Sequence, residues 1–506
     1  MLYIARSLRW VVSHSETWYR LLFVPGPEAT RWQIGKWKAW LVYDQARSST
    51  PAYASFLANH GVAEVPIRGF DPDLTAIPPM DKANYVKKYS IEDRCAGGAL
   101  PPRGVVIDES SGTSGTPNNW VRGPHERADA EKMIRLSLHA AIGGKPIFLI
   151  NAFALGPWAT GMNVSMSLVG VSVLKSTGPD VAKILNTLKL FGPKYDYVIM
   201  GYPPFLKTLV DSTDVDWRQF HITAIYGGEG LSEGLRDHLL QSFDKVYGSY
   251  GASDLEINIG AENDFTINLR RMLAENKKLA DRILRDYNGV LPMVFQYNPL
   301  DYYIETSADG ELLVTLCRAG NIAPKVRYNI HDLGHVMRMP EFKSILRDLD
   351  ISLETIGEPT SDLPLLFHYG RADAAVSFYG CKITPMEIQQ IVLADPVYNE
   401  HVNTFSLVTH EDAQHNKHLV LALELKEGVD EGRGRAADWR DAIFARLAEV
   451  NQDYREASKM VPPDCRAELR LYPFGTGIFT GRDIRLKQQY IVEEPSSLGV
   501  PFAHST

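Results

Sequence analysis

The sequence predicts an α/β protein in two parts: a large N-terminal domain of mixed sheets and helices, and a small, mobile α+β domain at the C-terminus. Three observations carry this expectation. The chain has 506 residues, more than a single hydrophobic core usually organises. Between residues 146 and 247, short apolar runs alternate with helical segments, the pattern of largely parallel strands joined by crossover helices. Beyond Tyr369-Gly370-Arg371-Ala372-Asp373, helix, strand, strand, helix and strand follow in a pattern of their own. A boundary there divides the chain into 1–370, with a helical lead-in over 1–100, and 371–506.

In chain order, residues 15–60 read as helical. Trp10, Trp18, Trp32, Trp37 and Trp40 suit amphipathic helices lying on a core. Residues 105–108 read as a strand feeding a Ser/Gly-rich loop, and 128–141 carry helical periodicity. Strands are then expected at 146–150, 171–175, 197–200, 221–226 and 245–247. Helices are expected at 181–191, 204–211 and 232–243. Residues 311–316 and 335–339 read as strands of a smaller antiparallel unit. In the C-terminal part, helices fall at 385–393 and 439–450, and strands at 404–408, 418–425 and 467–472.

Composition narrows the function classes. The net charge is −8, and the charged share is 23%. Nucleic-acid binding draws on basic patches, which this balance does not suggest. Cys95, Cys317, Cys381 and Cys465 show no C-x-x-C spacing, so neither a zinc site nor a disulfide framework is expected, and a reducing cytoplasm fits. Arg6 and Arg9 interrupt the apolar start, which is unlike a signal peptide. No run reaches the roughly 18 apolar residues of a membrane span. The oligomeric state stays open, a homodimer included.

The chemistry concentrates in six segments. The first is Ser110-Ser111-Gly112-Thr113-Ser114-Gly115-Thr116-Pro117. Its glycines let the backbone turn successive N–H groups toward one anion, and its hydroxyls add donors. It lacks the G-K-[ST] of a Walker loop. Residues 108–121 contain no Lys or Arg, so the charge of a bound anion must be met elsewhere, with Arg122 the nearest candidate. The second segment, Tyr226-Gly227-Gly228-Glu229-Gly230-Leu231-Ser232-Glu233, ends a strand and opens a helix at an ordinary Ser N-cap. The third is Tyr247-Gly248-Ser249-Tyr250-Gly251-Ala252-Ser253-Asp254, with Glu256 close behind. The fourth is Arg327-Tyr328-Asn329-Ile330-His331-Asp332-Leu333-Gly334. The fifth runs from Gly370-Arg371-Ala372-Asp373 through Gly380 to Pro385, Met386, Glu387 and Ile388; Pro385 and Glu387 also suit the first turn of a helix. The sixth is the tail, with Gly481-Arg482 and Lys487. His125, His331 and His368 lie near these segments without metal-ligand spacing.

In order and spacing these segments resemble the signatures of the adenylate-forming superfamily, which includes acyl-CoA synthetases, peptide-synthetase adenylation domains and luciferases. From about Tyr43 onward, including Thr50-Pro51-Ala52-Tyr53 and Phe56-Leu57, the chain is most similar to the phenylacetate-CoA ligase branch with its coenzyme F390 synthetase-like proteins. The resemblance implies that Ser110, Ser111, Gly112, Thr113, Ser114, Gly115 and Thr116 cradle the phosphates of ATP, with Thr116 where the family usually carries Lys. It implies that Gly227, Gly228 and Glu229 wrap the adenine, and that Tyr250, Gly251 and Ala252 lie against it. Ser253 would touch phosphate, and Asp254 would hold Mg2+ where the family has Glu, with Glu256 as the alternative ligand. Asp332 would accept from the ribose hydroxyls, and Arg371 would bind ribose or phosphate. Asp373 would be the hinge, and Gly380 would let an acceptor arm pass. Lys487, preferred over Arg482 as a compact ammonium, would serve the reacting carboxylate and α-phosphate.

The activity so implied is ATP-dependent activation of a carboxylic acid to an acyl-adenylate, releasing pyrophosphate, followed by transfer to coenzyme A. An amine, a carrier thiol or a nucleotide as acceptor stays open. So does a non-catalytic nucleotide-binding homologue, given Thr116, Asp254 and Arg482. The stretch 151–162, with Trp158, Gly161 and Met162, is aromatic and apolar and suits an aryl or apolar acid.

Overall fold

Strands form here where apolar runs are buried on both faces, as crossover helices require of a parallel sheet. The structure is a computed structural model. It describes residues 27–62, 66–68, 71–109, 118–142, 146–156, 159–211, 215–228, 230–231, 233–285, 291–318, 320–359, 361–371, 376–383, 385–392, 396–430, 435–480 and 491–493.

Two short strands, β1 (Val106–Glu109) and β2 (Asn119–Arg122), pair antiparallel with Val106 opposite Arg122. The main sheet then begins with β3 (Ile147–Asn151), β4 (Val173–Ser176), β5 (Asp196–Gly201), β6 (His221–Gly227) and β7 (Lys245–Tyr250). All of these pair in parallel, in the spatial order β4-β3-β5-β6-β7. The helix Val181–Phe191 connects two of them; Asp180 caps its first turn by accepting from the Lys183 N–H, as Asp does at an N-cap.

The later strands do not form a separate unit, as the sequence suggested. They continue the same sheet. β8 (Gly260–Ala261) and β9 (Met293–Tyr297) follow β7, and β10 (Tyr302–Thr306), β11 (Glu311–Leu316), β12 (Tyr328–Met337) and β13 (Leu365–Arg371) complete it. The eleven strands run β10-β11-β12-β13-β9-β8-β7-β6-β5-β3-β4, antiparallel from β7 outward. Burial on both faces of Met293–Tyr297 removes the alternation that would mark an antiparallel strand. The expected strand at 335–339 is the end of β12, and Met339 already starts the helix Met339–Asp348, with Pro340 in its first turn.

The lead-in consists of helices Glu28–Ser49 and Pro51–Asn59. They break where Pro51 opens the second, a position at which its missing N–H is not needed. The first helix is clamped to the far sheet edge: Arg338 donates to both carboxylate oxygens of Glu28 at 2.7 Å, and Trp32 packs on Tyr303 with ring centroids 5.2 Å apart. Trp10 and Trp18 lie outside the described residues. None of the four cysteines forms a disulfide, and all are buried. Among the described residues no helix is long and apolar enough to cross a membrane.

A separate hydrophobic core, including Phe378, Ile388, Phe405, Leu421, Ile443 and Leu469, serves the C-terminal part. Its sheet runs Glu468–Tyr472, Lys417–Leu425, Val402–Glu411, Ile491–Glu493. Helices Pro385–Val392 and Arg435–Val450 belong to it, and Asn451 joins them by donating to Glu387 at 2.9 Å.

One core residue makes stability depend on pH. His335 stacks on Phe367 at 4.6 Å and 8°. Burial, then the nearby Arg285 charge, holds its imidazole down at about 4. The unfolded chain binds the proton near pH 6.5 and the folded one does not. The stabilising difference is therefore full above pH 6.5 and is lost as pH falls toward 4, by up to about 3 kcal/mol. In melting curves from pH 7 to 4, His335→Phe is expected to lack this part of the decline. Parallel curves for the two proteins would refute the assignment.

Candidate nucleotide site

In open α/β sheets ligands gather beyond the carboxyl ends of the parallel strands, near a switch in topology. A pocket lies at such a place here, where β7 hands over to the antiparallel half. It is lined by Gly227 and Gly228 at and after the end of β6, by Ser249, Gly251, Ala252 and Ser253 at and after β7, and by an apolar wall that includes helix residues. The second and third sequence segments therefore meet around one cavity.

The β6 edge is set by a buried polar cluster. Glu262, at one wall of the pocket, accepts from the Tyr226 hydroxyl at 2.8 Å, from the Gly248 N–H at 2.7 Å, and from Arg236 through two nitrogens at 2.8 and 3.0 Å. Burial, and then Glu262, pushes the Tyr226 phenol well above its usual value, keeping it a donor. Gly228 follows with φ +85°, and a Cβ there would lie 2.5 Å from the Tyr202 ring. Both facts demand glycine. Tyr202 in turn meets Phe153 edge-on at 5.2 Å.

The third and fourth segments converge on Asp332. Its Oδ2 accepts from the Tyr250 hydroxyl at 2.8 Å and lies 3.2 Å from His368 Nε2. Tyr250 is wedged between Phe295 at 5.7 Å and His368 at 4.8 Å. On the sheet Asp332 stands opposite Arg371, next to a register shift at Leu333 and Gly334. The backbone of the fifth segment thus reaches the same point.

Beside it, Ser253 and Asp254 form the turn after β7. Asp254 is 4% exposed. Its Oδ2 accepts from the Tyr328 hydroxyl at 3.0 Å and pairs with Lys82 Nζ at 3.1 Å. Lys325 lies beneath, with Nζ 4.5 Å from the Trp120 ring centroid, and burial, then the neighbouring Arg122 and Arg94 charges, lower it to about 7.

Two expectations are revised here. Arg122 does not stand free for phosphate. It is buried, donates to Asp108 at 3.0 Å and Glu126 at 3.4 Å, and holds the carbonyls of Ser253 and Leu255. Burial alone would lower its pKa, yet Glu126 and Asp108 outweigh it and raise the value. Its role is to fix the Ser253–Leu255 turn against β2. Glu256 is likewise committed: it accepts from Arg318 at 2.5 Å and from the Tyr302 hydroxyl at 2.6 Å, and burial raises its pKa despite Arg318. Of the two acidic candidates, Asp254 is the one that adjoins the pocket-lining Ser253 and pairs with a half-exposed cation. Among the described residues no three His, Cys, Asp or Glu side chains form a metal-holding group.

The apolar wall differs from the expected one. Thr160 and Val164 of helix Ala159–Leu168 line the pocket, together with Ile134, Leu138, Phe153 and Met200. Gly161 and Met162 lie on the other sides of that helix and are not in the lining; the Gly161 carbonyl accepts from Asn151 at 2.8 Å. With 100° per residue, positions 160 and 164 share a face that 161 and 162 leave. Helix 124–142 was legible as a helix, but nothing in its pattern distinguished a face toward a ligand from a face toward core. Lys82, in the lead-in, carried no sequence signal at all. Ser110, Ser111, Gly112, Thr113, Ser114, Gly115, Thr116, Trp158, Glu229, Asp373, Arg482 and Lys487 lie outside the described residues, and of Arg371 only the backbone is described.

No family model matches the sequence, and no curated protein matches it. Solved structures share its fold, among them structures of a CoA ligase. The chain is similar to 2-hydroxyisobutyryl-CoA ligase in complex with 2-HIB-AMP and CoA in the thioesterification state, at 15% identity and a TM-score of 0.62, covering 93% of this chain and 91% of that one. It is similar to the same ligase in the postadenylation state with R3-HIB-AMP at 14% identity and a TM-score of 0.51, covering 93% and 90%.

Proposed function

We propose that this protein activates a carboxylic acid with ATP, forming an acyl-adenylate and pyrophosphate, and passes the acyl group to coenzyme A. The observation that carries the proposal is the convergence of Gly227, Gly228, Tyr250, Ser253, Asp254 and Asp332 at the strand ends beside one apolar-walled pocket. The shared fold supports it, since the similar ligase was solved with an acyl-AMP and CoA.

In this reading Asp332 accepts from the ribose, held in place by Tyr250, and the glycines at and after the end of β6 let the base approach the backbone. The wall of Ile134, Leu138, Thr160 and Val164 takes the acid, which is apolar or aryl. Asp254 is the residue that would hold Mg2+. It already pairs with a cation, and Mg2+ needs only one or two carboxylates beside waters and phosphates. Bound there, the metal would neutralise phosphate charge. The residues 110–116 would add backbone and hydroxyl donors. Lys487 would serve the α-phosphate and carboxylate, and Arg371 the ribose or phosphate.

We read the chain as two domains, 1–370 and 371–506, hinged near Asp373. Gly380 of the smaller one lies against Tyr202, which also touches Gly228; a Cβ on Gly380 would be 3.2 Å from that ring. A seam so close to the pocket suits the entry of an acceptor arm. The phenylacetate-CoA ligase branch is the kinship we favour, on the sequence segments alone.

The test is pyrophosphate release with a panel of aryl and aliphatic acids, followed by mass spectrometry with coenzyme A or amines present. Acid-dependent release and an acyl-CoA product are expected. ATP binding without release for any acid would replace the enzyme with a nucleotide-binding protein, and an amide formed while coenzyme A goes unused would replace the acceptor.

A further inference from the structure

The loop 108–121 contains no Lys or Arg, yet under the proposed function the phosphates of ATP must meet positive charge. The structure removes two of the cations near Asp254 from consideration. Arg122 is buried and spends its guanidinium on Asp108, Glu126 and two backbone carbonyls. Lys325 is buried between Trp120 and Tyr328, at 4.5 and 5.6 Å from their ring centroids, and at about 7 it is only partly charged near neutral pH. Lys82 remains. Its side chain is 34% exposed, while the Asp254 carboxylate it pairs with is 6% exposed. Its side chain is therefore partly open to solvent beside the turn that carries the pocket-lining Ser253.

The segment that delivers Lys82 is stapled down. Met80 bridges Tyr328 on β12; the Asn329 N–H donates to the Met80 carbonyl at 2.8 Å, and the Met80 N–H donates to that of Arg327 at 3.2 Å. Asp81 and Asn84 exchange bonds at 2.6 and 2.8 Å, closing a capping box around the start of the Lys82–Val86 turn. The backbone at Lys82 is thus fixed relative to Asp254 and Asp332. Only its side chain is left to move.

We infer that Lys82 supplies the cation missing from the phosphate loop: it is held by Asp254 in the structure and turns to the β- and γ-phosphates of a nucleoside triphosphate when a divalent cation takes its place on that carboxylate. The inference rests on the proposed function. Its physical basis is exchange between partners of opposite charge. A divalent ion on Asp254 repels the ammonium, and the phosphates that arrive with the ion attract it. A flexible ammonium suits such an exchange better than a guanidinium fork, which releases a carboxylate less readily.

The test is calorimetric binding of ATP and of AMP, with and without Mg2+, to the wild type, Lys82→Met and Lys82→Arg, with melting temperatures recorded alongside. Lys82→Met is expected to weaken MgATP binding about ten-fold or more, the usual effect of losing a charged hydrogen-bond partner. AMP binding should change less than about two-fold on the same grounds, because AMP lacks the phosphates concerned, and Lys82→Arg should recover part of the loss. If Lys82→Met binds MgATP as the wild type does, or loses ATP and AMP equally while its melting temperature falls, Lys82 is only a structural partner of Asp254 and the inference is overturned while the nucleotide site stands. If the wild type binds neither nucleotide, the proposed function and this inference fail together. Should Lys82→Met not fold, Lys82→Gln is read by the same ratio.

Discussion

Glu262→Ala is expected to lower the unfolding free energy by about 3–5 kcal/mol, as found when one partner of a buried ion pair is removed. The Glu262 side chain is fully buried, and that of Arg236 is 1% exposed. Four donor groups from three residues converge on this carboxylate: the Tyr226 hydroxyl, the Gly248 N–H and two Arg236 nitrogens. Without it Arg236 keeps only the Val246 carbonyl at 2.7 Å, the Tyr226 hydroxyl at 3.1 Å and Glu233 at 3.0 Å. Glu233 must also serve Arg270 and Arg271. A buried guanidinium is left undercompensated, and the β6 and β7 ends lose the group that joins them. The double change Glu262→Leu with Arg236→Met should recover much of the loss, because it removes both charges. Urea unfolding at pH 7 measures both. A single-variant loss under about 1 kcal/mol, the range of an exposed pair, would show that Arg236 finds full compensation elsewhere.

Asp332→Ala is expected to weaken ATP binding about 100-fold. The proposed ribose contact gives this buried carboxylate two hydrogen bonds, and at about 1.5 kcal/mol each, the lower end for a charged acceptor, they set that scale. The change also removes the acceptor to which the buried Tyr250 hydroxyl donates at 2.8 Å, so some stability should go with it. Tyr250→Phe separates the two effects. It keeps the carboxylate and removes one partner, and ATP binding should weaken only several-fold, in line with a single bond worth about 1 kcal/mol. Titration calorimetry at fixed Mg2+ decides between them. If Asp332→Ala binds ATP within about three-fold of the wild type, the ribose assignment is wrong and Asp332 serves only to hold Tyr250 and His368 in place.

Much of the scaffold was legible beforehand because its signals are local. The apolar runs at 146–150, 197–200, 221–226 and 245–247 became β3, β5, β6 and β7, since a strand buried on both faces must be apolar throughout. The helix at 181–191 begins and ends as its Asp180 and Gly192 suggest. Met293–Tyr297 and Leu365–Arg371 were missed: each is short and carries neither a helical nor an alternating period, so only its neighbours in the sheet define it.

The site divides along the same line. The sequence by itself determined the chemical groups and their order: a Ser/Gly loop without cations, Gly227-Gly228 at a strand end, Tyr250 ahead of Ser253-Asp254, and Asp332 before Gly370-Arg371. Their residue types and close spacing are properties of short stretches of chain. The tertiary structure alone decided which of them have partners. Tyr250 meets Asp332 across 82 residues, Arg122 is withdrawn into a buried ion cluster, Glu256 is taken by Arg318, and Lys82 comes from the lead-in to stand at Asp254. Sheet register and burial set these pairings. A charged side chain that folding takes out of water must find a partner, and that partner is whatever the packed elements bring alongside.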